Sequence, residues 1–485
     1  MNARLLIAGT GSNCGKTWVT IALMRALALR GKKVTAFKCG PDYIDPMFHE
    51  KILGIPSRNL DLYFTGKEET KAIFLQEDDS DVSVVEGVMG LYDGLGGIQE
   101  EASAMDLAKT LKLPILLIVN AHGKGRSLAA EIAGFLSMDT EHLIQGVLLN
   151  RISEGFYGMI KPVIEEMTGT KVFGYLPNCE SWKLESRHLG LKLPQEKDDL
   201  SEQVTKAAAQ LENSVRLDDI LEMVKVFADK NPLTAKEFPW LKPMRDNVLL
   251  QGGQTVFQRK KVRVGVASDE AFCFYYRDNL RLLENAGVQV IPFSPLRDKC
   301  LPEDLDGMLL GGGYPELWAR ELSGNVSMRE QVKIALEGGM PSLAECGGFL
   351  YLHEELELEN GESYPMAGIV KGRAYYTGRS VRFGYAEFSE GEDALMTRKR
   401  AAGQERKDIA TAFHIRGHEF HYFESENCGG DWSAKKPVTG RSWKCMHAGA
   451  QHLWGFGHLY YPSAPRFTLW FVEKCQEFQR QRNAE

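Results

Sequence analysis

The sequence predicts an α/β protein of two domains in tandem, each a mostly parallel sheet flanked by helices. Three observations carry that reading. Short leucine-rich or β-branched runs alternate with helical patterns from Leu5 to about Leu149, which is the signature of strands buried on both faces. The pattern then loosens between about Pro194 and Lys261, where charged helical stretches lead into Asp229-Lys230-Asn231-Pro232 and Gly252-Gly253. A second alternation restarts at Val262. The expected organisation is a first domain over 1–245, a linker over 246–261 and a second domain over 262–485, and the 485 residues are enough for two large cores.

Composition narrows the function classes. An apolar share of 44% and a charged share of 25% are those of a globular protein with ample core. The net charge of −7 argues against nucleic acid as a general partner, though not against a local pocket for a small anion. Nine cysteines scattered over the length do not form a disulfide framework, so a reducing cytoplasm is expected. No run approaches the roughly 18 apolar residues of a membrane span. The N-terminus reads directly as a strand rather than a signal peptide, so no membrane partner is expected.

In the first domain the expected strands are Leu5–Ala8, Val34–Lys38, Val82–Val85, Pro114–Val119 and Gly146–Leu149, with helices over Val19–Leu29, Ala102–Leu111 and Leu128–Leu136 between them. Ligands of such a sheet gather beyond the carboxyl ends of the strands. Ala8 to Thr17 follows the first strand and opens the first helix, as a phosphate-binding loop does. Gly9, Thr10, Gly11 and Gly15 supply the turn and its N–H groups, Lys16 a point charge, and Thr17 a hydroxyl for Mg²⁺. Its first glycine is Gly9, so the loop is one residue longer than GxxxxGK[ST]. After the second strand, Cys39 to Pro46 reads as a turn-rich segment with two carboxylates, Asp42 and Asp45. Glu86 ends the third strand, where a phosphate-loop enzyme places its second Mg²⁺ partner, and is followed by a segment running to Asp93-Gly94. Asn120 to Ser127 carries two cations in front of a helix, and Asn150-Arg151 at the end of the fifth strand is placed to contact a nucleobase.

The second domain reads as strands Val262–Ala267, Val288–Phe293, Gly307–Leu310 and Pro341–Ala344, with a helix over Asn279–Ala286 and a helical region to about Leu336. The third strand runs into Gly311-Gly312-Gly313-Tyr314-Pro315-Glu316, and the fourth into Glu345-Cys346-Gly347-Gly348. A thiol at a tight strand-to-helix turn is lifted out of the sheet. It also meets backbone N–H groups that can hold an oxyanion, and a lowered thiol pKa is expected there. Such a nucleophile needs a histidine base from elsewhere in the fold. His418, His421 and His458 are the candidates, and sequence physics does not choose among them.

The residues also carry a resemblance. Ala8 to Thr17, Phe37 to Pro46, Ser57 to Asp61, Val84 to Gly94, Ser186 to Leu191, Ala271 to Tyr276, Phe293 to Leu296, Gly311 to Glu316, Glu345 to Gly348 and Gly417 to Tyr422 are similar, in order, to the cobyrinic acid a,c-diamide synthase family. The resemblance implies a dethiobiotin-synthetase-like phosphate-loop domain, which shares the longer loop, and a class I-type glutamine amidotransferase domain. It implies ATP, Mg²⁺ and glutamine, and a corrin or related tetrapyrrole whose a and c acetate carboxylates become amides in cobalamin biosynthesis. It implies that the loop residues, with Asn150 and Arg151, bind ATP. Thr17, Asp45 and Glu86 would hold the metal, and Asp42, Tyr43, Ile44, Asp45 and Asp93 would line the substrate. Cys346 would be the glutaminase nucleophile with His458 its base, and Gly312, Gly313 and Gly347 the oxyanion donors. A monomer or homodimer is expected, with a passage for ammonia.

The chain departs from the family at three places. It has His458-Leu459-Tyr460 where His-Leu-His is common, and no glutamate two residues after His458, so a Cys–His pair is implied rather than a triad. Asn120 stands where an aspartate is often found, and Asp431 to His452 matches poorly and receives no role. The same chemistry on hydrogenobyrinic acid or nickel-sirohydrochlorin stays open. So does a different class, a regulatory ATPase with an inactive amidotransferase-like binding domain.

Overall fold

The computed structural model describes residues 3–76, 80–179, 182, 186–187, 190–191, 200–243, 261–402 and 411–484. The linker expected over 246–261 lies outside the described residues except for Lys261, as do His188 and Leu189 of the Ser186 to Leu191 motif. The chain forms two compact units, Met1–Glu237 and Phe238–Glu485.

The first unit is built on a seven-stranded, all-parallel sheet of β1 (Ala3–Gly9), β2 (Val34–Cys39), β3 (Ser57–Leu60), β4 (Val82–Glu86), β5 (Ile115–Asn120), β6 (Ile144–Asn150) and β7 (Val172–Leu176), in the order β3-β2-β4-β1-β5-β6-β7. Helices alternate with the strands. Five strands match the sequence reading to within a few residues; β3 and β7 were not read from sequence. Ser-Arg-Asn-Leu has little strand propensity, but its pairing with β2 buries all four residues. The segment after β2 is less of a loop than expected: Ile44–Leu53 is a helix, so Ile44 and Asp45 occupy its first turn. Asp42 Oδ1 accepts from the Ile44 N–H at 2.7 Å and satisfies one of the first N–H groups of that helix. A minimal hairpin of β8 (Ser186–Arg187) and β9 (Gly190–Leu191) follows.

The second unit has a central sheet of β10 (Val262–Ala267), β11 (Val288–Phe293), β12 (Gly307–Leu310), β13 (Ser342–Glu345), β22 (His447–Ala448) and β23 (His452–Gly455), ordered β11-β10-β12-β13-β23-β22 and parallel except at the β22 edge. Two further sheets were not anticipated. One contains β14 (His353–Glu357), β15 (Ser363–Pro365), β16 (Val370–Tyr376) and β19 (Phe423–Ser425). The other is antiparallel, with β17 (Arg382–Glu390), β18 (His414–His421), β20 (Trp432–Lys435), β21 (Ser442–Cys445) and β24 (His458–Leu459), ordered β21-β20-β17-β18-β24. Asp431 to His452 thus supplies structural strands, with Trp432 buried at 2% exposure.

Candidate active site

The chemistry-bearing side chains gather in two centres, one in each unit. In the first unit they sit at the carboxyl ends of β1, β2 and β4. Gly15 adopts φ +90°, and a Cβ there would lie 2.2 Å from Asn150 Nδ2, so glycine is required at the turn into the helix Lys16–Leu29. Asn150 Nδ2 donates to Cys14 O at 2.9 Å, and Asn150 Oδ1 accepts from the Arg151 N–H at 3.0 Å. Its amide thereby braces the phosphate loop. Lys16 Nζ curls back onto Gly11 O at 3.1 Å and Met89 O at 2.5 Å, and burial lowers its pKa.

Thr17 Oγ1 donates to Glu86 Oε1 at 2.6 Å and lies 3.4 Å from Asp45 Oδ2. Between these carboxylates sits Lys38, a residue that sequence reasoning missed. Its Nζ pairs with Asp45, approaches Glu86 Oε1 at 3.3 Å and Asp42 Oδ2 at 3.8 Å, and donates to Gly87 O at 3.1 Å. Burial works against the charged lysine, but the three carboxylates outweigh it and raise its pKa. Burial alone would likewise push Glu86 up; Lys38, His49 and Thr17 together hold its carboxyl low and ionised. His49 Nε2 lies 3.0 Å from Glu86 Oε2, and its Nδ1 lies 3.0 Å from Ser57 Oγ. At the rim, Asp93 Oδ2 accepts from the Gly90 N–H at 2.8 Å, and Tyr43 is 8% exposed. The loop Asn120 to Ser127 presents fewer free cations than its sequence suggested, because Lys124 pairs with Glu131 at 2.6 Å.

In the second unit, Cys346 sits between β13 and the short helix Gly347–Leu352 with φ +46° and ψ −102°, a strained backbone that only the surrounding turn can hold. Its N–H donates to Gly455 O at 2.8 Å. Gly347 packs so closely on the Gly-Gly-Gly loop that a Cβ would lie 3.0 Å from Gly313 N, and a Cβ on Gly312 would lie 2.4 Å from His458 Cε1. The missing side chains therefore let the Gly-Gly-Gly loop pack against both the nucleophile turn and the His458 ring. Tyr275 braces that loop: its hydroxyl accepts from the Gly311 N–H at 2.8 Å and donates to Ala267 O at 2.5 Å. His418 and His421 converge on the same region from β18. His418 stacks on His458, and His421 stacks on Phe456 at 4.1 Å with Nδ1 2.6 Å from Phe423 O. The three histidines left open by sequence thus form one cluster.

Residues 5–191 match the model of the CobQ/CobB/MinD/ParA nucleotide binding domain, and residues 263–441 that of the CobB/CobQ-like glutamine amidotransferase domain. A Clostridium acetobutylicum protein named cobyrinate a,c-diamide synthase is 40% identical over 463 residues, which cover 94% of this chain and 97% of that one. The chain belongs to the cobyrinate a,c-diamide synthase family. A Picrophilus torridus relative of the same name is 36% identical over 477 residues, covering 97% and 98% of the two chains. A third, from Methanothermobacter thermautotrophicus, is 35% identical over 487 residues, covering 98% and 100%.

One expectation for this family member fails. The Cys346 thiol is pushed up, not down: it is buried at 7% exposure, and Glu316, Glu419 and Glu345 lie near enough to oppose a thiolate. The Gly347 N–H works in the opposite direction and is outweighed. His458, 2% exposed, is lowered to about 3 by burial and by His421, and is neutral at physiological pH. The resting pair is therefore a neutral thiol and a neutral imidazole. Glu345, directly before the thiol, is raised to about 8 by burial although Tyr461 and the Leu459 N–H donate to it.

Proposed function

We propose that this chain converts the a and c acetate carboxylates of cobyrinic acid to amides, using ATP and glutamine, in cobalamin biosynthesis. The observation that carries the reading is similarity over nearly the whole length of both this chain and its relatives, with both chemistry-bearing motif sets intact. Residues 1–245 would form the synthetase domain, 246–261 the linker and 262–485 the amidotransferase domain.

A carboxylate is a poor electrophile, so each amidation needs activation. A substrate carboxylate oxygen attacks the γ-phosphorus of ATP, the bond to the ADP oxygen breaks, and an acyl phosphate forms. Ammonia then attacks the acyl carbon and phosphate leaves. In such transfers positioning and electrostatics do most of the work. Gly9, Thr10, Gly11 and Gly15 would cradle the phosphates by their N–H groups, with Lys16 released from Gly11 O and Met89 O to meet them. Lys38 is a second buried cation at the end of β2, placed to balance charge as the phosphoryl group moves. Asp42, Tyr43, Ile44, Asp45 and Asp93 would face the corrin side chain.

Asp45 and Glu86 each bring a carboxylate oxygen within 3.4 Å of Thr17 Oγ1, an all-oxygen set that fits Mg²⁺ once phosphate oxygens are added. Bound there, Mg²⁺ would offset phosphate charge.

In the second unit His458 would take the Cys346 proton as sulfur attacks the glutamine carboxamide carbon, with Gly312, Gly313 and Gly347 N–H groups meeting the oxyanion. His458 returns the proton to the departing ammonia, and water releases glutamate from the thioester. Because the thiol is held up at rest, proton transfer to His458 accompanies the attack of sulfur instead of preceding it.

Mass spectrometry of enzyme incubated with cobyrinic acid, ATP, Mg²⁺ and glutamine tests the proposal. Two successive acid-to-amide conversions are expected. Conversion only of hydrogenobyrinic acid or nickel-sirohydrochlorin in parallel reactions would move the assignment to that tetrapyrrole, and no conversion of any of them would end it.

A further inference from the structure

Glu86 divides its two carboxylate oxygens between different neighbours. Oε1 accepts from Thr17 Oγ1 at 2.6 Å and stands 3.3 Å from Lys38 Nζ, on the side of the phosphate loop. Oε2 lies instead 3.0 Å from His49 Nε2. His49 is fully buried, and its other ring nitrogen, Nδ1, lies 3.0 Å from Ser57 Oγ. We propose that His49 is a positioning residue for the metal site: backed by Ser57, it holds Glu86 Oε2 so that Oε1 alone is offered beside Thr17, and it thereby selects Mg²⁺ over Ca²⁺.

The chain builds this contact from short-range pieces. Asp45 and His49 are four residues apart in the helix Ile44–Leu53 and so share one face of it. That face meets Lys38 and Thr17 through Asp45, and Glu86 through His49. Gly54 ends the helix at a left-handed φ of +66°, and the Ile55 N–H donates to His49 O at 3.1 Å. The chain then turns straight into β3, whose first residue, Ser57, stands opposite Ala36 of β2. Two residues further along β2, Lys38 stands opposite Glu86 of β4. One helix and two strand pairings therefore fix Ser57, His49 and Glu86 relative to one another.

The direction of each hydrogen bond follows from charge. Burial would raise Glu86, but Lys38, His49 and Thr17 outweigh it and keep the carboxylate ionised. Its Oε2 can then only accept, so His49 Nε2 is the donor. Nδ1 accepts in turn from the Ser57 hydroxyl, which sets both the tautomer and the plane of the ring. A carboxylate held in this way does not swing to present both oxygens to one cation. Mg²⁺ takes a tight octahedral shell, whereas Ca²⁺ accepts a larger, more flexible one in which a carboxylate can bind through both oxygens. Engaging Oε2 on an imidazole therefore favours the smaller ion.

The inference rests on the proposed role of Thr17, Asp45 and Glu86 in holding Mg²⁺, and the test separates the two. Calorimetry measures how tightly the full chain binds a non-hydrolysable ATP analogue without metal, as its Mg²⁺ complex and as its Ca²⁺ complex. Wild type is compared with His49→Ala, His49→Gln, Ser57→Ala and Glu86→Gln. His49→Ala should bind the Mg²⁺ complex about 10- to 100-fold more weakly, the usual worth of a hydrogen bond behind a metal-binding group, and the metal-free analogue within about twofold of wild type. Its Ca²⁺ complex should lose less, so that the preference for Mg²⁺ narrows. His49→Gln, whose side-chain amide can donate to Oε2 from nearly the same place, should recover most of the loss. Ser57→Ala should show a smaller loss in the same direction, and these two variants carry the test if His49→Ala does not fold. Equal weakening of all three forms of the analogue would make His49 a packing residue and overturn the proposal. So would an unchanged preference for Mg²⁺ in both His49→Ala and Ser57→Ala. If Glu86→Gln bound the Mg²⁺ complex as tightly as wild type, the metal assignment itself would fall, a failure that the His49 variants cannot mimic.

Discussion

Lys38 shows what a single residue can conceal. It stands in a strand at 3% exposure with three carboxylates around its ammonium, the environment in which a buried lysine keeps its charge. Replacing it with methionine leaves the ionised Glu86 buried without its countercharge, beside an Asp45 carboxyl that burial already holds well above the usual range. Lys38→Met is expected to cost about 3–5 kcal/mol in urea unfolding and to abolish ATP-dependent amidation. Unchanged stability would mean that Glu86 does not depend on Lys38 for its countercharge. Glu345 gives the residue-scale pH prediction. Its carboxyl is held up at about 8 in the native state, against about 4.3 unfolded. Between those values the unfolded chain gives up this proton while the native chain keeps it. The group's contribution is therefore full at low pH and lost as pH rises towards 8. Glu345→Gln should then raise Tm relative to wild type at pH 8 more than at pH 4.5; an equal difference at both values would contradict the buried, protonated acid.

Among the elements, the two turns that end in functional residues are the least tolerant of change. Gly15→Ala adds a Cβ at φ +90° into the Asn150 amide, and Gly312→Ala adds one against the His458 ring. The first should raise KM for ATP at least 10-fold and spare glutamine hydrolysis. The second should lower glutamine hydrolysis and spare ammonium-driven synthesis, and steady-state assays of both reactions read the difference. Such turns were legible in the sequence because glycine, a charged or nucleophilic residue and an apolar strand sit side by side. The first residues of the helix Ile44–Leu53, up to Pro46, were read as part of a turn because Pro41, Asp42 and Pro46 are turn residues, yet proline is tolerated in a first helical turn. The β18–β24 pairing was not legible at all. It joins residues about forty apart, through sheets whose strands are two to nine residues long.

At the scale of the whole molecule, the sequence announced two α/β units and the order of their chemistries, because parallel sheets write continuous apolar runs into the chain. It did not announce Lys38, since a lysine in a strand reads as solvent-facing until the opposing carboxylates are seen, nor the lifted thiol pKa, which depends first on burial of the thiol and then on Glu316 and Glu419, brought near from elsewhere in the chain. Among the described residues no helix is long and apolar enough to cross a membrane. The central claim is a division of labour: ammonia is released at Cys346 and consumed at the phosphate-loop centre. Amide formation by folded Cys346→Ala, supplied either with glutamine or with a high concentration of ammonium salt, tests it most directly. The account predicts no product with glutamine and a near wild-type rate with ammonium; loss of both, or retention of both, would contradict it.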